Sequence, residues 1–407
     1  MTMHVPVRIG PAEQKLITQL AASGQAAAAE RLQTIGLPTR KVESYHYTDL
    51  KMLLRAVPEL AGTEQALSEP ALRIPGAHRI PVTNGHADIA SEMPPGMRAT
   101  ISQGAALTER DDVLVRLNSA LARQTLKLEI KSRATQVVHI DRRTEGEAAH
   151  MNDSVHLFVA DGSKATVVET FSGTDEAHLS NHASYVAVGE GAELTHILLD
   201  LSGARATNFA TAEYHVGAGS RIRTLTIHVG SGLSRMNLFA RFEGEGAHGD
   251  FTGLNLAADG QHSDITLELT HAVPNCSSKP LFKQVARGRS KAAFQGKIVV
   301  ARDAQKTDAK LMMQGLMLSD EAEILSKPEL EIFADDVVCG HGSTVGALDE
   351  DSMFYLTSRG ISKAEAESML VRGFLEEVLD PIEDEELHLA LEGVVEKWLL
   401  GGSQFAA

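Results

Sequence analysis

The chain has 407 residues, and 38 Lys plus Arg set against 54 Asp plus Glu leave a net charge of −16. With 43% hydrophobic and 23% charged residues, the composition is that of a globular protein, long enough for about two to three domains. Such an excess of acid argues against general nucleic-acid binding and against docking to acidic membranes, both of which need clustered Lys and Arg.

Two cysteines, Cys276 and Cys339, are too few for a disulfide framework, and too few for a four-thiolate metal site within one chain. The opening MTMHVPVRIGPAEQKL lacks the basic start and apolar run of a secretion signal. No stretch approaches the roughly 18 uninterrupted apolar residues of a transmembrane helix. The expectation is a soluble, cytoplasmic protein.

Residues 1–130 read as a helical region followed by a Pro-rich connection. The run from Pro11 to Gln33 is rich in Ala, Gln, Leu and Glu, all good helix formers, and Gly36 and Pro38 punctuate its end. Pro70, Pro75, Pro81, Pro94 and Pro95 mark turns, and a second helical stretch is expected from about Glu109 to Gln124.

Residues 131–348 read as a β core. ATVVETF (165–171), LTHILLDL (194–201), IRTLTIHV (222–229) and DITLELT (264–270) are Val-, Ile- and Thr-rich runs with partial alternation, the pattern of strands. Gly162, Gly191, Gly219 and Gly246 each precede Ser or Ala, at spacings of 29, 28 and 27 residues. A self-similar period of this size marks stacked coils whose strands pair with those above and below, with glycines turning the corners. A β-helix is the preferred reading, and a β-sandwich with regular turns is the rival.

Residues 349–407 return to helix. Ser362 followed by Glu365 has the form of a capping box. Ala366, Leu370, Phe374 and Val378, joined by Leu375 and Leu379, line one face, and Pro381 ends that helix. From Glu383 to Leu400 a second amphipathic piece offers Leu387, Leu391, Val394, Val395 and Trp398 for burial.

Among possible motifs, GEGAHG (244–249) spells GxGxxG, but DFTGLNLAADG follows it where a dinucleotide fold needs a helix, so it reads as a repeat turn. Gly296-Lys297 lacks both the earlier glycine and the following Ser or Thr of a phosphate loop. The eleven histidines from His139 to His271 form no metal-binding pair and are expected in structural roles. Cys339-Gly340-His341-Gly342 stands apart. On an extended segment a thiol and an imidazole two residues apart point to one side. They read either as a buried Cys beside a turn His or as two metal ligands, and two ligands require the rest of the site to come from another chain or from labile groups. Nucleophilic catalysis has little support, because Asp335 and Asp336 are expected to raise the thiol pKa.

The blocks QKTDA (305–309), LSDEAE (318–323), KPELEIFADDV (327–337), CGHGSTVG (339–346) and FYLTSRGIS (354–362), in that order, closely resemble the SufB/SufD family of iron–sulfur cluster assembly proteins. RKVESYHYTDL (40–50) resembles the family's RKxExWxYT block, with Tyr45 where Trp is usual, and FQGKIVV (294–300) fits as well. Within the family the chain resembles the SufD branch, running TVGALD after the CxHG motif and lacking the additional cysteines of SufB-like members.

The resemblance implies a mainly β fold: a right-handed parallel β-helix core flanked by N-terminal and C-terminal α-helical domains. It implies a non-catalytic scaffold with two partners, a SufB-like paralogue and a SufC-like ABC ATPase, and no nucleotide bound by this chain. His341, with Cys339 as a second participant, is then expected to share a transient nascent iron–sulfur cluster with the paralogue. The C-terminal helices are expected to bind the ATPase, through Phe354, Tyr355, Arg359, Leu370, Phe374, Leu375 and Val378. A homodimer is expected when the paralogue is absent. The rival functions are a carbohydrate-active β-helix enzyme and a homodimeric iron-binding protein.

Overall fold

The computed structural model describes residues 8–62, 69–104, 110–258 and 260–401. Two sheets, of nine and eleven strands, form a parallel β-solenoid of about eight turns with helices at both ends of the chain. Strands one coil apart pair in parallel. In the first sheet Leu179, Thr207, Leu233, His262, Lys291 and Glu323 stand in one row, and in the second Lys164, Glu193, Arg221, His248, Ser277, Asp308 and Val338 do. This parallel pairing between successive coils decides for the β-helix and against the sandwich.

The four expected strands match Lys164–Gly173, Glu193–Asp200, Arg221–His228 and His262–His271, the second and third stopping one residue short of Leu201 and Val229. The repeated glycines take the left-handed conformation, with φ of 64°, 61°, 59° and 73° at Gly162, Gly191, Gly219 and Gly246. The column continues through Asn275 and Lys306, at φ 60° and 63°, where no glycine marks it in the sequence. Each of these residues donates its N–H to the next coil, from Gly162 to Glu190 O at 2.8 Å through to Lys306, which bonds Asp336 O at 2.6 Å. GEGAHG is therefore a turn followed by the strand His248–Ala257, not a dinucleotide loop.

Side chains alternate between a lumen core and the outer faces. Leu194 and Leu198 point into the lumen, whereas Ile197 and Leu199 join an outer cluster beneath the C-terminal helices. The second sheet is thus buried on both faces, which accounts for its near-continuous apolar runs. The N-terminal helices cover part of the first sheet through Leu179, Phe209 and Leu233.

Three expectations need correction. The first helix is two, α1 (Pro11–Ala22) and α2 (Ala26–Ile35), broken where Gly24 takes φ 77°. After the short α3 (Leu50–Leu53), the next helix is α4 (Val113–Leu121), started by the Asp112 side chain bonding Leu114 N at 2.8 Å; Glu109 lies outside the described residues. The sheets begin well upstream of residue 131. His78–Thr83 pairs in parallel with Val138–Thr144, and Gln124–Ile130 pairs with His150–Val159. Pro81 hides the first of these strands in the sequence, yet it is tolerated because that strand lies near the end of its sheet.

At the C-terminus α5 (Glu350–Ser358), α6 (Lys363–Leu379) and α7 (Glu385–Leu399) follow the solenoid. The Ser362–Glu365 capping box is formed, with bonds of 3.1 and 3.3 Å. All five residues expected to be buried in the last helix are buried. The buried stripe of α6 is Ala366, Val371, Leu375, Val378 and Leu379, so Leu370 and Phe374 fall at its margin.

Candidate functional site

Among the described residues the solenoid ends on two strands with no further strand stacked beyond them. Glu323–Ile332 closes the first sheet and Val338–Gly346 lies at the margin of the second; each pairs in a ladder with one strand among the described residues. This final coil is the least buried of the solenoid. Ile332, Phe333, Val338 and Val345 are exposed there, Phe333 and Val338 at 61% each. An uncovered strand edge carrying apolar side chains is a template for another chain.

Cys339 and His341 both lie on the terminal strand, opposite Ala309 and Leu311 of Asp308–Met317. Ala309 and Leu311 are buried in the lumen core, so in-register Cys339 and His341 project to the lumen side of the open end. Cys339 is half-buried against that core, while His341 is exposed. Farther along the same row Ser343 bonds Ser326 across the lumen at 3.0 Å.

The thiol of Cys339 is pushed up, as expected, but for a different reason. Burial is the main cause, a backbone hydrogen bond from Ala309 opposes it, and the carboxylate of Asp308 adds to it. Asp335 and Asp336 do not figure among the causes. Among the described residues no group of three or more His, Cys, Asp or Glu could hold a metal ion. Cys276 is buried in the core, with its Sγ 3.3 Å from Gly244 O.

The residues expected to meet an ATPase partner separate into two groups. Phe354 and Tyr355 on α5 are exposed, at 74% and 56%, and the Arg359 guanidinium lies 5.1 Å from the Tyr355 ring centre. Leu370 and Phe374 are half-buried. Leu375 and Val378 are buried against the second sheet and present no surface to a partner.

Sequence reasoning missed two polar assemblies that hold the site's scaffold. Inside the lumen Arg142 is fully buried, bonding Asp153 at 2.8 Å and Ser184 at 2.7 Å and pairing with Glu169. Glu169 also bonds His196 at 2.9 Å, and Asp153 bonds His182 at 3.0 Å. Although burial opposes ionisation, the Arg142 guanidinium and the histidines hold both carboxyls below their usual range. Outside the first sheet buried Arg235 pairs with Asp264, stacks 4.3 Å from the Tyr45 ring centre and bonds Ser44 O at 2.6 Å. Tyr45 itself donates to Asp112 at 2.7 Å, so the ESYHYT segment is clamped to the solenoid. A signal for such contacts was present: Asp153–His182 and Arg235–Asp264 are each separated by 29 residues, one coil.

Comparison with known proteins agrees with this architecture. Residues 142–374 match the family profile described as the SufBD core domain of SUF-system FeS cluster assembly. The chain is similar to the iron–sulfur cluster assembly protein SufD of Escherichia coli, 29% identical over 392 residues covering 92% of each chain. A SufBD family iron–sulfur cluster assembly protein of Synechocystis is 28% identical over 401 residues, covering 87% of this chain and 86% of the relative. One from Mycobacterium tuberculosis is 30% identical over 286 residues, 68% of this chain and 64% of that one. No helix among the described residues is long and apolar enough to cross a membrane. With the coil pairing, the uncapped end and these matches in place, the chain belongs to the SufB/SufD family of SUF-system iron–sulfur cluster assembly proteins and is SufD-like within it.

Proposed function

We propose that this chain is the non-catalytic SufD-like scaffold of a SufBCD-type complex, and that its open solenoid end meets a SufB-like paralogue. His341, with Cys339 beside it, would lend ligands to a nascent iron–sulfur cluster, the cargo of the assembly, at that junction. The observation that carries the reading is the position of both side chains on the lumen side of an uncapped terminal strand, rimmed by exposed Ile332, Phe333, Val338 and Val345. An exposed imidazole beside a half-buried thiol supplies part of a coordination sphere, and a partner must supply the rest.

A SufC-like ATPase would engage α5, where Phe354 and Tyr355 stand free, and ATP hydrolysis belongs to that partner. Without the paralogue, the same apolar end supports pairing of two copies. The complex works in the cytoplasm in this reading.

Co-expression with matching SufB-like and SufC-like chains tests the proposal. Complex mass by light scattering, and iron and sulfide after purification without air, are compared for the wild type and His341→Ala. An intact complex that loses iron and sulfide only in the variant supports the shared site. Equal cluster content in both removes His341 from it, and a chain that ignores both partners overturns the scaffold reading.

A further inference from the structure

The turn joining α6 to α7 closes over the second sheet and leaves a cavity of about 210 Å³. Its solenoid wall is cationic in an otherwise acidic protein, for Lys164, Arg221 and Arg223 all line it. These residues come from neighbouring strands in register: Lys164, Glu193 and Arg221 form one row, and Thr166, Thr195 and Arg223 the next. The row alternation brings two threonine hydroxyls to the same outer wall as the cations.

Most of the acids around the cavity are already engaged. Glu193 is held by Arg133 at 2.8 Å, Asp250 by His248 at 3.0 Å, and Asp384 accepts from Leu387 N at 2.9 Å as the cap of α7. The cations are less well served. The Arg221 side chain makes no hydrogen bond or ion pair among the described residues. Arg223 donates to Pro381 O at 2.8 Å, yet its Nε is buried without a partner. Lys164 reaches acids only at 3.6 and 3.8 Å. The one remaining acid, Glu383, is largely exposed, and its carboxylate stands 3.8 Å from Lys164 and 3.9 Å from Arg223, within their field but beyond hydrogen-bond length.

We propose that this cavity binds a small oxyanion of the phosphate class, and that the Glu383 carboxylate occupies its position loosely until displaced. On the solenoid wall Lys164, Arg221 and Arg223 stand against Glu193 and Asp250, one positive charge ahead, and a fork of guanidinium N–H groups beside threonine hydroxyls matches tetrahedral oxygens better than one carboxylate does. The site is separate from the open end, so a ligand here would tie the α6–α7 turn to the solenoid.

Calorimetric titration of the full chain with inorganic phosphate, against chloride at matched ionic strength, tests this. Saturable binding specific to phosphate is expected. It should weaken roughly ten-fold or more in Arg221→Gln, the scale of one lost charge-assisted contact, and tighten in Glu383→Gln. Arg221 is exposed, so thermal unfolding of its variant without phosphate should match the wild type. Phosphate heats indistinguishable from chloride in both wild type and Glu383→Gln, or undiminished affinity in Arg221→Gln, would overturn the site.

Discussion

Lys283 reaches out of the solenoid wall to the middle of α6, where its ammonium donates to Phe374 O at 2.6 Å and to Glu377 at 2.6 Å, 4.8 Å from the Phe374 ring centre. The lysine is buried, so these partners stand in for the water that burial removes. Replacing it with Met keeps the aliphatic stem and removes the charge-assisted bonds, at a cost of about 1–3 kcal/mol. Hydrogen exchange should show α6 and α7 losing protection in Lys283→Met while the lumen strands keep theirs. Uniform loss across the chain would mean that the lysine supports the whole fold and not helix docking alone.

The lumen charges behave as a unit. Arg142→Met strands two buried carboxylates, Asp153 and Glu169, without their shared cation. Breaking a buried pair on one side costs about 3–5 kcal/mol. Urea unfolding should show a loss of that order, and a loss below about 1 kcal/mol would mean that solvent or a neighbour replaces the guanidinium.

Three buried histidines give the fold an acid limit. Burial lowers His139 and His271 to about 4 and His150 to about 3, from an ordinary 6.5. Their folded values lie below the unfolded one, so the stabilisation is fully present above pH 6.5 and is lost as pH falls toward the folded values. The unfolded chain binds the extra protons, and each histidine contributes a slope of about 1.4 kcal/mol per pH unit in that window. Chemical denaturation between pH 7 and pH 5 should therefore show falling stability, less steep in His271→Phe. An unchanged slope in that variant would show that His271 takes up protons equally in the folded and unfolded chain.

Gly191 tests the turn column. A Cβ there would meet nothing within 4 Å, so only its φ of 61° resists substitution. Gly191→Ala should cost about 1–2 kcal/mol and Gly191→Asn less, since Asn visits this region more readily and Asn275 already occupies it one column position away from Gly246. Equal costs for the two variants would point to a clash and not to backbone conformation.

The sequence showed clearly whatever repeats along the chain. The coil period, the four strands, the capping box and the buried face of the last helix follow from local pattern and match the structure. The column beyond Gly246 was hidden because Asn275 and Lys306 adopt a glycine-like conformation without being glycine. The stripe of α6 was misplaced by one position because a four-residue spacing drifts against a 3.6-residue turn, and Val371 took the buried place. The CxHG pair was visible as chemistry, but its setting at an uncapped end required the register of the last coil. Leu375 and Val378 resembled partner contacts in sequence and are core residues, since only tertiary packing shows which side of an amphipathic helix is already occupied.

The two ends of the solenoid are chemically unlike. At the start, Met97–Gln103 lies antiparallel on Gln124–Ile130, and His86–Ala87 folds back antiparallel on its neighbour, so the parallel ladder is already terminated there. Among the described residues each end leaves the outer edge of a strand unpaired, but the near edge belongs to an antiparallel pair and the far edge to a parallel one. The far end also exposes Ile332, Phe333, Val338 and Val345, so the proposed pairing of two copies would bring like ends together about a two-fold axis. Such a joint would cover both apolar ends at once and close the assembly at a pair.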